Sequence, residues 1–161
     1  MGPSRARGFT LLEVLLVILV IALFSGLIGM LNPDSGTQQV RREGERLRGL
    51  LQLLRQQAVL TNSEYGVRFE PDGYAVQRLE EHGRWAPNQE FARQTLAPNL
   101  RLRLETTDLL DPPYQGRDLP QLLVLSSDET TPFTLWLEYR GQPLLSLSSD
   151  GIQEPLLEPV E

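Results

Sequence analysis

Cysteine is absent from the 161 residues, and so is lysine; all 15 basic residues are arginines. Without cysteine there is no disulfide framework, no thiolate metal site and no thiol nucleophile. His82 is the one histidine. That removes histidine-cluster zinc sites and leaves Ser126, Ser127 and Asp128 without a nearby base for Ser-His-Asp catalysis. Net charge is −6, against the clustered basic residues that phosphate binding needs, so no nucleic acid partner is expected. Asp72-Gly73 and Asp150-Gly151 lack the alternating acids of a calcium loop and read as turns. Trp85 and Trp136 read as core or edge packing. This inventory is too poor for an enzyme, and neither cofactor nor metal is expected.

One long apolar run is what the chain does have. From Phe9 to Leu31 it is broken only by Thr10, Glu13, Ser25 and glycines. As a helix rising 1.5 Å per residue it reaches about 34 Å, enough to cross a bilayer core. It is longer than the apolar part of a secretory signal peptide, and no A-x-A site follows it. A carboxylate at Glu13 inside such a run costs several kcal/mol unless neutralised, which makes it a functional candidate. Just before the run stands Arg5-Ala6-Arg7-Gly8, a short basic leader ending in glycine.

Basic leader, glycine, phenylalanine and an acid five residues into an apolar helix resemble the type IV prepilin signal, shared by type IV pilins and type II secretion pseudopilins. The resemblance implies cleavage between Gly8 and Phe9 by prepilin peptidase on the cytoplasmic face, with methylation of the new Phe9 amine. It also implies an assembly role for Glu13, a single pass through the bacterial inner membrane and a periplasmic C-terminal domain. Arg41, Arg42, Arg46 and Arg48 beyond the span outnumber Arg5 and Arg7 before it, against the usual bias of cytoplasmic flanks. The leader decides the orientation, because its cut requires the N-terminus inside.

Five segments are expected: leader 1–8, transmembrane helix 9–31, a break at 32–36 around Pro33, an amphipathic helix 37–62, and a β-rich region 63–161 that packs with that helix as one domain. Along 37–62, Val40, Leu47, Leu51, Leu54 and Ala58 share one face. Arg41, Arg42, Glu45, Arg46, Arg48 and Gln52 share the other, with Glu45–Arg48 and Glu43–Arg46 at pairing distance. Alternation and turn residues place strands near 65–69, 74–79, 84–86, 100–104, 122–125, 133–139 and 144–148. Arg101 and Arg103 face outward from theirs. Residues 107–121, with Pro112, Pro113 and Pro120, read as a long irregular loop, Ile152 as a last short segment, and 154–161 as a loose acidic tail. The fold class is therefore α+β, a long N-terminal helix on antiparallel sheets.

Beyond the leader, Leu47–Val59, Tyr65-Gly66-Val67-Arg68-Phe69, Asp72-Gly73-Tyr74, Gly83-Arg84-Trp85 and Asp128-Glu129-Thr130-Thr131-Pro132-Phe133 look like the minor pseudopilin H family of type II secretion. Asp128 stands where that family usually has glycine. The resemblance implies a structural component at or near the pseudopilus tip that supports export of folded proteins across the outer membrane. Its implied partners are the major pseudopilin and minor pseudopilins I, J and K. The alternative is a minor pilin of the FimT/FimU kind, serving pilus assembly or DNA uptake.

Overall fold

A computed structural model describes residues 11–30, 35–106 and 118–160, with side chains over 11–20 in the first stretch. The chain divides into two compact units, 1–35 and 36–161. In the first, α1 spans Leu11–Met30, with Glu13 in its opening turn. Among the described residues, no helix is long and apolar enough to cross a membrane; α1 runs on for ten residues beyond its last described side chain, Val20. The expected break at Pro33 falls on 31–34, outside the described residues.

The second unit is built on α2, Ser35–Thr61. It starts two residues before the expected helix, so Ser35 and Gly36 are helical rather than part of a break. At the other end Asn62 takes a left-handed conformation (φ 47°). Its N–H donates to Val59 O at 3.4 Å, and the Ser63 N–H donates to Ala58 O at 3.1 Å. These two bonds satisfy carbonyls the last turn would leave open, a Schellman cap with asparagine where glycine is commoner.

Among the described residues nine strands, all antiparallel, follow in two sheets. The first sheet has the order β3 (Trp85–Pro87), β2 (Gly73–Leu79), β1 (Tyr65–Glu70), β6 (Leu122–Val124), with β4 (Gln94–Thr95) pairing the start of β2. The second has the order β5 (Leu100–Thr106), β7 (Phe133–Tyr139), β8 (Gln142–Ser149), β9 (Leu156–Pro159). The β7–β8 hairpin turns on Arg140 and Gly141, both at positive φ (51° and 79°), the combination that matches strand twist in a two-residue loop.

Two expectations need correction. The tail is not loose: Leu156–Pro159 pairs with β8, Leu157 opposite Leu147 and Glu158 opposite Ser146. The last short segment, expected at Ile152, is this strand instead, and Ile152 itself lies in a bend. Pairing wins in the tail because Leu157 packs against the core, and at Gly44 a Cβ would stand 2.9 Å from the Leu157 side chain. A glycine in α2 thus lets the helix lie close to the last strand.

The core sits between α2 and the sheets. Val40, Leu47, Leu51, Leu54 and Ala58 are buried on the helix, against Tyr65, Val67, Tyr74, Val76, Leu122 and Val124 of one sheet and Phe133, Leu135, Leu137 and Leu147 of the other. Each fully buried leucine contributes about 2–3 kcal/mol, which holds a helix whose opposite face carries Arg41, Arg42, Glu45, Arg46, Arg48 and Gln52.

Candidate assembly interface

Glu13 is the predicted assembly residue that falls among the described residues; Gly8 and Phe9 lie outside them. It is carried on α1. Around it Leu11, Leu12, Leu16 and Val17 are 83, 81, 59 and 46 % exposed. An apolar surface of this extent has to be covered by lipid or by protein.

On α2 the solvated face is only partly as expected. Arg48 pairs with Glu45 at 3.1 Å, and Arg41 and Arg42 are exposed. Glu43 and Arg46 do not pair with each other. Tyr74 donates its hydroxyl proton to Glu43 Oε1 at 2.7 Å, and Arg46 donates to Gln94. Burial, then the Glu43 carboxylate, push the Tyr74 hydroxyl well above its ordinary pKa. A buried phenol offers a stronger bond than an exposed i,i+3 pair, so the sheet takes Glu43.

Arg55 is the residue that sequence reasoning missed. It lies inside the apolar stripe, between Leu51 and Ala58, and is only 8 % exposed. Its guanidinium donates to Asp128 Oδ1 at 3.0 Å, Asp128 O at 2.7 Å, Ile152 O at 2.8 Å and Gln153 O at 2.9 Å. One side chain thereby ties two loops to the helix. The available signal was an arginine at a core spacing, which must find buried partners. Asp128 itself has φ +69°, a conformation suited to glycine and tolerated by aspartate.

The other candidates resolve into structural roles. Ser126 gives its Oγ–H to Glu64 at 2.8 Å and its N–H to the same carboxylate at 3.0 Å, while His82 is exposed in the turn ending at Gly83 (φ 73°). Asp72 pairs with Arg93 at 2.7 Å. Hydrogen bonds from the backbone N–H groups of Gln153 and then Ile152 hold the Asp150 carboxyl below the usual range. Among the described residues no three His, Cys, Asp or Glu side chains gather to hold a metal. Arg101 donates to Pro71 O at 2.8 Å, and Arg103 to Glu138 at 2.9 Å and also to Glu105. Trp136 is not core: it stands in a row with Arg103, Ser146 and Glu158 across the second sheet, with the Arg103 guanidinium 5.4 Å from its ring centre.

Residues 3–29 match the family model described as the prokaryotic N-terminal methylation motif. That motif, leading through α1 into a helix on two antiparallel sheets, defines a pilin-like protein. The chain is 39% identical to type II secretion system protein H of Pseudomonas aeruginosa, over 95% of this chain and 96% of the relative. Protein H of Vibrio cholerae is 29% identical over 86% of each. A solved structure of the Vibrio cholerae minor pseudopilin EpsH superposes with TM-score 0.64 at 26% identity, covering 76% of this chain and 98% of that one. Escherichia coli GspH, at 23% identity and TM-score 0.65, shares the fold. The chain belongs to the type II secretion system protein H family and is a minor pseudopilin, which favours the secretion reading over a FimT/FimU-like pilin.

Proposed function

We propose that this minor pseudopilin is a structural, non-enzymatic component at or near the tip of the pseudopilus. There it joins the major pseudopilin and minor pseudopilins I, J and K and supports export of folded proteins. The observation that carries this is the 39% identity to protein H over 95% of the chain. Prepilin peptidase cuts between Gly8 and Phe9, and Phe9 is methylated; the motif match over 3–29 supports that step. The apolar run 9–31 anchors the protein in the inner membrane with the domain 36–161 in the periplasm.

In this reading Glu13 serves assembly. The freed Phe9 amine is four residues before Glu13 in sequence, and in this reading it meets the carboxylate of a neighbouring subunit. A pair of opposite charges in the low dielectric of packed helices offsets a desolvation cost that neither carries alone, and it sets axial register. Glu13→Leu is expected to keep insertion, leader removal and the periplasmic fold, while crosslinking between cysteines placed in adjacent spans drops. Wild-type crosslinking and secretion by that variant would refute the role. Mass spectrometry of Gly8→Arg tests the cleavage site, with loss of the Phe9-starting species expected.

A further inference from the structure

The turn 149–154 is more tightly determined than a surface connection needs. Between Gly151 and Gln153 all six backbone polar groups are satisfied inside the chain. The Gly151 N–H donates to Ser149 Oγ at 3.1 Å, and the Ile152 and Gln153 N–H groups donate to Asp150 Oδ1 at 2.9 and 2.8 Å. Gly151 O accepts from the Thr130 N–H at 2.8 Å. Ile152 O and Gln153 O accept from Arg55, and Gln153 O also from Ser149 Oγ at 3.2 Å. Gln52 adds a bond to Glu154 at 3.1 Å. What this frame presents is an isoleucine, 71 % exposed.

A single exposed aliphatic residue is ordinary on a protein surface. One displayed on a backbone with no remaining hydrogen-bonding need is preorganised, and preorganisation removes the ordering cost of binding. The surroundings define the partner. Beside Ile152 a cleft of about 350 Å³ is lined by Gln52, Arg55, Gln56, Asp128 and Glu154. The Asp128 side chain is 62 % exposed while that of Arg55 is 10 % exposed. Glu129, Asp150 and Glu154 are exposed as well. The cation is buried and the carboxylates face solvent, so this surface is apolar at its point and negative around it.

We infer that the 149–154 turn is a docking knob: Ile152 enters an apolar pocket on an adjacent pseudopilin, and an arginine or lysine beside that pocket enters the cleft against Asp128 and Glu154. This deepens the assembly reading and rests on it. Arg55 acts as a positioning residue, holding both loops in place from the floor of the cleft.

The test uses the full-length tagged chain, co-expressed with the other pseudopilins and purified in detergent. Ile152→Asp is expected to weaken their retention about thirtyfold, the size of an interface hot spot, with its thermal midpoint unchanged. Ile152→Val should retain them. Raising salt should weaken wild-type retention, because the rim contacts are electrostatic. A photoreactive p-benzoylphenylalanine at position 152 should crosslink to a pseudopilin peptide containing arginine or lysine. This second readout stands even if Ile152→Asp proves unstable. Undiminished retention by Ile152→Asp, or crosslinks to no pseudopilin, overturns the knob and leaves the family role intact. Failure of the wild type to retain any pseudopilin overturns both.

Discussion

Replacing Arg55 by leucine tests how the two loops are held to α2. The substitution removes four hydrogen bonds from a guanidinium, three of them to carbonyls. Bonds to charged groups contribute about 1.5–3 kcal/mol each in buried settings. Here the loops lie at the surface, and their carbonyls regain water when the arginine is gone. Asp128 counts for little, since an exposed carboxylate gives an ion pair worth about 0–1 kcal/mol. Leucine also replaces much of the buried aliphatic stem. The expected net loss is about 3 kcal/mol, nearly all from the carbonyls. For a domain of this size that lowers the thermal midpoint by about 10 °C, read by circular dichroism on the full chain in detergent. Asp128→Asn keeps a residue that tolerates positive φ and removes only the charge, so its midpoint should fall by less than about 4 °C. If Asp128→Asn falls as far as Arg55→Leu, the ion pair rather than the carbonyl bonding holds the loops. An unchanged midpoint in Arg55→Leu would refute the clamp altogether.

Gly151→Ala should lower stability by about 2–4 kcal/mol, seen as a lower urea midpoint at unchanged slope. Gly151 has φ +93°, and a Cβ there would stand 2.5 Å from Thr130 O. Tyr74 makes stability fall in alkali. Its hydroxyl titrates above the ordinary value when folded, so the native state keeps a proton that the unfolded chain loses near pH 10. Its contribution is complete below that pH and declines above it by about 1.4 kcal/mol per pH unit. Tyr74→Phe should flatten this part of the profile, and an unchanged alkaline slope in that variant would refute the assignment.

Local patterning made much of this domain legible. The apolar repeat from Val40 to Ala58 predicts α2, because a helix buries one face at a period its sequence must carry. Strict alternation predicts β5 and β7, where Phe133, Leu135 and Leu137 are buried. Turn residues place Pro71-Asp72 and Arg140-Gly141, since left-handed or fixed dihedrals are properties of single residues. The prepilin signal is likewise a local word, readable without a fold.

Only the tertiary structure decided which polar groups meet. Leu156–Pro159 has too little alternation to announce a strand, and it becomes one because β8 offers an open edge. Glu43 leaves its helical neighbour for Tyr74, thirty-one residues away. Arg55 holds Asp128, Ile152 and Gln153, seventy-three to ninety-eight residues further on. The positive φ of Asp128 is set at the same place. Periodicity encodes which face of an element is buried, but not which element covers it. The identity of a buried arginine's acceptors is fixed by packing distant segments together, and that information is spread over the whole chain.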